Sequence, residues 1–435
     1  PVTEYITKEG LQEFESPGWM NGHCVQYAIP AGITVKSLKY RETGYNTDFS
    51  GSFICSDTFY NILWQKSRRT LYVCMRDNYM DCPDRERACW WGDAVNETGQ
   101  SFYAFDRNAD MLTKKAINEL LQWQKANGVL FSPVPAGNWD AEYPLQMLPA
   151  IGRYGIWNYF LFTGDTQTIA AAYPHIINYL NLWEFDKEGL VDHRNGMSGW
   201  TDWGLNIDRR IIENCWFYLA LKAACDMAVV TKRFSDTASI NDKMATIKNN
   251  FNRVFWNGNE YRSPQYSNLT DERANALAVL AGLADSTKWP AVRRVLINNL
   301  NASPYMEKYV LEALFIMGYE DDALERMKHP DRYAPMVYDT LTTLYEQFGN
   351  KGTYNHGWSG GPLTLLSQYC AGVAPEKARF ETYSVFPQEG KLNYIRAVIP
   401  SVKGNILVNI SEINNFRLTN YEKNSFVKKL NRNIM

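Results

Sequence analysis

Residues 77–93 read Asp-Asn-Tyr-Met-Asp-Cys-Pro-Asp-Arg-Glu-Arg-Ala-Cys-Trp-Trp-Gly-Asp, with five carboxylates, two arginines and a tryptophan pair in one stretch. This is not a solvated charge run, because the charges alternate with Cys82, Pro83, Cys89, Trp90 and Trp91, residues that prefer burial or an aromatic or sugar face. Carboxylates held among arginines and tryptophans in a cleft have perturbed proton affinities, and such groups are candidate acids and bases. A structural knot of salt bridges is the plainer reading, and it leaves two adjacent tryptophans and Gly92 without a purpose.

Further carboxylates stand in aromatic company. Asn138-Trp139-Asp140 and Trp200-Thr201-Asp202-Trp203-Gly204 each set an Asp beside a Trp outside any helical pattern, where loops commonly carry sites. Thr342-Thr343-Leu344-Tyr345-Glu346-Gln347 comes later, followed by Asn355-His356-Gly357-Trp358. The plain readings here are a helix-end charge for Glu346, core packing for Trp200 and Trp203, and a hydrogen-bonded residue for His356. One His without a Ser or Cys partner signals no nucleophilic triad.

Bringing segments so distant in sequence together is the task of the intervening elements. From residue 55 to 372 apolar residues recur at three and four, as in Phe59, Ile62 and Leu63 or Leu112, Ile117, Leu120 and Leu121. Asn127-Gly128, Gly164-Asp165, Asn257-Gly258 and Gly318 punctuate about a dozen such helical stretches, which suits a ring of helical hairpins. Residues 19–45 alternate apolar and polar around Pro30-Ala31-Gly32 and read as strands. Alternation returns at Phe380–Phe386, Leu392–Ile399 and Ile406–Ile410, with a Lys403-Gly404 turn, and reads as one antiparallel meander.

Asp81-Cys82-Pro83-x-Arg85-Glu86-Arg87, closing on Trp90-x-Gly92-Asp93, resembles the acidic motif of the bacterial α-L-rhamnosidases of glycoside hydrolase family 78. Thr342-Thr343-Leu344-Tyr345-Glu346 resembles that family's Thr-Thr-x-Trp-Glu segment, Asn355-His356 its following Asn-His, and Asp202-Trp203 its Gly-Asp-Trp loop, in the family's order within residues 50–410. The resemblance implies a mainly α fold, an (α/α)6 barrel or six-hairpin toroid over 51–372, flanked by antiparallel β-sandwich segments at 1–50 and 373–435. It implies inverting hydrolysis of a terminal sugar, α-L-rhamnose first, with no cofactor and no metal in the chemistry. Carried over position by position, Glu86 is the expected general acid and Glu346 the general base. Asp81 and Asp93 are expected on sugar hydroxyls, with Arg85, Trp90, Trp203 and His356 lining the pocket. Trp91, Trp139, Asp140, Asp202 and Trp358 complete the expected substrate-binding set. The sequence departs from the family where Cys89 replaces Gly, Trp91 a small residue, Tyr345 a Trp, and Thr201 the Gly before Asp-Trp. Those changes reshape a sugar pocket before they alter acid–base chemistry.

The chemistry stands apart from the name. Inverting hydrolysis needs one carboxyl to protonate the leaving oxygen and one carboxylate to activate water on the opposite ring face, with the two roughly 6.5–9.5 Å apart. Two readings from other classes compete. A silent carbohydrate-binding barrel leaves Glu86 and Glu346 without a reason. A lyase acting on a uronic acid needs a cationic clamp, which Arg85 and Arg87 could supply.

Composition sets the remaining bounds. A net charge of −2 offers no basic footprint for nucleic acid. No run of about 18 apolar residues marks a membrane span, and residues 1–20 lack the form of a signal peptide. Beginning at Pro1, the sequence reads as a processed or excised piece, so a periplasmic or extracellular address stays open. Eight scattered cysteines without Cys-x-x-Cys spacing read as buried thiols rather than disulfides or a zinc site. The expected partner is therefore a carbohydrate, an oligosaccharide or rhamnoside glycan, with no nucleic acid and no membrane.

Overall fold

The computed structural model describes residues 2–16, 18–22, 24–136, 141–194, 197–411, 417–420 and 426–429. Helices dominate it, in chain order α1 (Thr58–Val73), α2 (Trp91–Ala104), α3 (Ala109–Gln122), α4 (Pro144–Ile151), α5 (Ile156–Thr163), α6 (Thr166–Leu180) and α7 (Arg209–Val230). They continue as α8 (Asp236–Phe255), α9 (Glu272–Leu280), α10 (Trp289–Asn298), α11 (Pro304–Ile316), α12 (Glu320–Lys328), α13 (Ala334–Tyr338) and α14 (Gly361–Leu365).

Burial sorts these helices into two rings. Every residue of α2, α4, α9 and α14 is buried, as are Pro304–Phe315 of α11. A helix covered on all sides needs neighbours on all sides. They find them in one another, since α2 packs on α4, α4 on α7, α7 on α9, α9 on α11, α11 on α14 and α14 back on α2. The outer helices are amphipathic instead. In α8 only Ile240, Ile247, Phe251 and Phe255 are buried, and in α10 only Val292, Val295 and Leu296, a single stripe facing the inner ring. One outer helix, or a consecutive pair at α5–α6 and α12–α13, separates each inner helix from the next along the chain, which gives six hairpins closed into a toroid.

The connections differ at the two ends of the toroid. Inner-to-outer links are short, as at 105–108, 152–155, 231–235 and 317–319. Outer-to-inner links include 74–90, 123–143, 181–208, 256–271 and 339–356, and all of them enter at the N-terminal ends of the inner helices. Among the described residues, the charged and aromatic segments 77–93, 200–204, 342–347 and 355–358 each lie in one of these long links or at the inner-helix start that follows it.

Strands close the flank. β1 (Ser52–Cys55) pairs antiparallel with β4 (Tyr394–Ile399), which pairs with β5 (Ile406–Ser411), which pairs with β6 (Arg417–Asn420). Phe53, Cys55, Ile395, Ala397, Ile399, Ile406 and Val408 turn inward on its buried face. β2 (Val373–Pro375), β3 (Thr382–Val385) and β7 (Phe426–Lys429) form a second sheet, with β3 and β7 parallel. The expected single meander is thus split. The 394–411 hairpin forms, while β3 joins β2, because Gly372 at φ 79° turns the chain so that its carbonyl accepts from Phe386 N at 2.8 Å. Residues 19–45, expected as strands, contain none among those described. Val25, Tyr27, Ile29, Ile33, Val35 and Leu38 alternate as a strand would, but they are exposed and have no strand alongside to take their backbone groups. The thiols are free and mostly buried, as expected.

One buried ion cluster ties a link to the ring. Arg273 on α9 donates to Asp202 at 2.7 Å and to Asp271 at 2.7 Å, with all three side chains fully buried, and also to the Asn206 carbonyl at 3.1 Å. Replacing Arg273 by Met leaves two buried carboxylates without their cation, so we expect a loss of about 3–5 kcal/mol in urea unfolding. A loss below about 1 kcal/mol would show that the 199–206 link does not depend on this cation.

Candidate active site

The link 74–90 is folded back on itself and pinned. Asp81 N donates to Ala88 O at 3.0 Å while Ala88 N donates to Asp81 Oδ1 at 3.0 Å, closing a neck around Pro83–Arg87. Gly357 N donates to Asp81 O at 2.9 Å, which joins this loop to the 339–356 link. At the tip, Arg85 reaches Glu86 Oε1 at 2.7 Å and Trp90 Nε1 donates to Glu86 Oε2 at 2.6 Å. The same guanidinium nitrogen of Arg85 lies 3.4 Å from Glu346 Oε2. One arginine therefore spans the two carboxylates, and their nearest oxygens are no further apart than these two contacts laid end to end.

Glu346 is not at a helix end. It sits in an irregular hairpin in which Glu346 N donates to Thr353 O at 2.8 Å and Gln347 N to Lys351 O at 3.2 Å. Gly352, at φ 76°, makes this turn; a Cβ there would stand 2.5 Å from Glu346 Oε2. The turn aims Thr353 N at the same oxygen, 2.9 Å away. The Glu346 side chain is 2% exposed against 35% for Glu86. Burial works against its charge, but His356, the Thr353 N–H and Arg85 outweigh burial and hold the carboxyl below the ordinary 4.5.

His356 bridges the buried acids. Its Nδ1 pairs with Thr353 Oγ1 at 2.8 Å and lies 3.8 Å from Glu346, while Nε2 lies 3.0 Å from Asp93 Oδ1. Burial disfavours the charged ring, yet Asp93, the Cys82 thiol and Asp81 push its pKa up to about 10. Burial raises Asp93 and Asp81, with His356 opposing in both. Beneath them Glu97 is buried with neither carboxylate oxygen hydrogen-bonded, and desolvation with Asp93 and Asp81 beside it raises its pKa well above the ordinary value. Gly357 lies so close to it that a Cβ would stand 1.9 Å from Glu97 Oε1.

Aromatic rings wall the site. Trp358 donates to Glu346 O at 2.9 Å and lies 4.2 Å from His356 and 6.1 Å from Trp200. Tyr143 lies 5.4 Å from Trp90 and 6.5 Å from Trp200, and the half-exposed Trp203 stands 5.6 Å from Trp200. Asp81, Arg85, Glu86, Trp90, Asp93, Glu346, His356 and Trp358 thus meet in one place, with Trp203 on its aromatic margin.

Two expected site residues have other roles. Trp91 is 1% exposed and faces the core at the start of α2, its backbone N–H donating to Ser132 Oγ at 2.8 Å, because the first turn of an all-buried helix has no solvent side. Asp202 spends both oxygens on Arg273, Ser303 N and Ser303 Oγ, so it holds the link rather than opening toward a ligand. Trp139 and Asp140 lie outside the described residues. Tyr143, Thr353, Gly352 and Glu97 were not anticipated. The Gly352-Thr353 pair just after Glu346 was the one available signal.

Asp81, Cys82 and His356 place one potential ligand atom each within 4.8 Å of the others, a mixed set able to suit a soft cation.

The ring charge of His356 is measurable. In histidine ¹⁵N spectra we expect His356 to remain an imidazolium at pH 8, and Asp93→Asn to lower its pKa by removing the facing anion. A neutral His356 ring at pH 7 in the unsubstituted protein would disprove this charge assignment.

The sequence model described as bacterial alpha-L-rhamnosidase 6 hairpin glycosidase domain matches residues 48–370. An α-L-rhamnosidase of Streptomyces avermitilis is 22% identical over 432 residues, covering 93% of this chain and 41% of that protein. The structure of the family 78 rhamnosidase of Bacillus sp. GL1 superposes with a TM-score of 0.79 at 21% identity, over 89% of this chain and 43% of that one. The S. avermitilis rhamnosidase, solved in complex with L-rhamnose, superposes at 0.71 with 19% identity, over 84% and 37%. This chain spans less than half the length of each of these relatives. With the family's domain model matching residues 48–370, most of this chain, the chain belongs to the bacterial α-L-rhamnosidase six-hairpin glycosidase family.

Proposed function

We propose that this chain removes a terminal α-L-rhamnosyl unit by inverting hydrolysis, with Glu86 as general acid and Glu346 as general base. The observation that carries the reading is the asymmetry of two carboxylates spanned by Arg85. Glu346 is enclosed and held ionised by His356 and Thr353, as a base that activates water must be. Glu86 stands at the mouth on Trp90, where a leaving-group oxygen can exchange places with the indole or guanidinium donor. Asp81 and Asp93 supply acceptors for sugar hydroxyls. Trp90, Trp203, His356 and Trp358 supply the walls, and Arg85 sits between the two carboxylates. A lyase would direct a cationic clamp at a sugar carboxylate, whereas Arg85 is engaged by both catalytic candidates.

Release of free reducing sugar from p-nitrophenyl α-L-rhamnoside tests the class directly; an ultraviolet-absorbing unsaturated product would mean elimination instead. Glu86→Gln keeps shape and loses the transferable proton, so activity on a poor leaving group should fall about 10²–10⁴-fold and on a very good one far less. Equal, small losses on both would remove Glu86 from the acid role.

Stereochemistry tests the pair. The first product seen by NMR should carry the anomeric configuration opposite to the substrate, with the carboxyl groups roughly 6.5–9.5 Å apart in the substrate complex. Retention would require a covalent intermediate and would sink Glu346 as base.

A further inference from the structure

We propose that the Thr353 hydroxyl is a positioning group for Glu346, and that it decides which oxygen of that carboxylate takes the proton from water. The inference rests on the hydrolytic reading and carries it down to a single atom, Oε1. The two oxygens of Glu346 stand in different surroundings. Oε2 accepts the Thr353 N–H at 2.9 Å, lies 3.3 Å from Thr353 Oγ1 and 3.4 Å from an Arg85 guanidinium nitrogen, and faces His356 Nδ1 at 3.8 Å. Among the described residues Oε1 has one donor, the same Arg85 nitrogen at 3.5 Å. An oxygen whose lone pairs already meet fixed donors has little left to offer a water, so the open oxygen is the one that accepts the proton.

A hydroxyl has one proton to give, and the neighbouring ring settles where it goes. His356 Nδ1 and Thr353 Oγ1 are 2.8 Å apart. A charged imidazole carries N–H at both nitrogens and has no acceptor, so His356 as an imidazolium donates from Nδ1 to Oγ1. The threonine proton then points away from the ring, where Glu346 Oε2 is within reach. The result is a chain with one direction: His356 Nε2 toward Asp93, Nδ1 to Thr353, and Thr353 to Glu346. A neutral ring with Nδ1 bare would draw the hydroxyl to itself and leave Glu346 one donor short. The hairpin backbone holds independently of this side chain, through Gly352 at φ 76° and Glu346 N on Thr353 O at 2.8 Å. The charged and titratable groups around the chain are several. Glu346 is faced by His356 from its own link and by Arg85 from the 74–90 loop, where Arg85 also meets Glu86. His356 is faced by Asp93 at the start of α2, by Asp81 and Cys82 in the loop, and by Glu97 beneath. Thr353 carries no charge, so replacing it alters one hydrogen bond without removing any of these groups.

The test follows kcat/KM for p-nitrophenyl α-L-rhamnoside across pH in the full chain and in its Thr353→Val and Thr353→Ser variants. Valine matches threonine in shape and lacks the hydroxyl, and a carboxylate that loses a donor holds its proton more tightly. Activity that needs ionised Glu346 is present above the pKa of that group and lost as pH falls through it. In Thr353→Val the loss should therefore begin at higher pH, by about one unit, with close to a tenfold deficit on the acid side of the profile. Thr353→Ser should keep the acid side of the unsubstituted protein. An acid side that stays in place in Thr353→Val, whatever the overall activity, overturns the proposal, as does Thr353→Ser behaving like Thr353→Val. Carboxyl ¹³C titration of Glu346, recognised by the signal missing in Glu346→Gln, reads the same shift without turnover. No shift there, with sugar still released, overturns the role of the hydroxyl and leaves hydrolysis standing. A shift with no sugar released by the unsubstituted protein overturns the hydrolytic reading, and Oε1 as proton acceptor with it.

Discussion

A charged imidazole, 2% exposed, sits between carboxylates that could not otherwise share one space. Asp93 approaches its Nε2 and Glu346 faces its Nδ1, while Asp81 and the Cys82 thiol stand beside it. Removing one member of such a cluster leaves an uncompensated buried charge, which costs far more than the pair contributes when whole. The ring also couples two distant links, since Asp93 opens α2 after residues 74–90 and Glu346 hangs from the 339–356 hairpin. His356 is therefore the joint at which the acidic motif and the Glu346 hairpin are held in register.

The fold explains why those segments can meet at all. Five of the six inner helices are buried on nearly every side and the sixth, α7, over most of its length, so the site is built where the inner helices begin. The long links enter at that end and the short links leave at the other. Glycine makes the closest approaches possible: Gly357 admits Glu97, Gly360 admits Gln100, and Gly352 brings the Thr353 N–H to Glu346. A side chain at Gly357 or Gly360 would collide with α2, and one at Gly352 with Glu346 itself.

The chemistry was more legible in the sequence than the geometry around it. Asp81 to Asp93 announced itself because charge and tryptophan rarely crowd together without a site, and helical periodicity with glycine punctuation was enough for a ring of hairpins. Trp91 and Asp202 could not be told from site residues, because residue type carries no direction. Trp90 and Trp91 are adjacent, yet the start of α2 lies between them, sending one to the cleft and the other to the core. Asp202 has a tryptophan on its C-terminal side as a sugar ligand would, and only the fold reveals Arg273 beneath it. Strand alternation in residues 19–45 was real as a pattern, but pairing is a property of two segments and the second is not among those described.

Exposure is what separates the two catalytic candidates. On the hydrolytic reading, one turnover leaves Glu86 without its proton and Glu346 with one too many. Arg85 spans the pair but cannot carry that proton, because a guanidinium does not deprotonate in proteins. The proton must return through solvent, and Glu86, with a third of its side chain open, is the end at which solvent can deliver it. Glu346 must instead shed its proton from an enclosed position, which the cations His356 and Arg85 favour by stabilising the carboxylate. The same two cations that make Glu346 a weaker base thus return it to the ionised form for the next cycle. An open acid and an enclosed, cation-held base are the arrangement that resets itself without a dedicated proton relay.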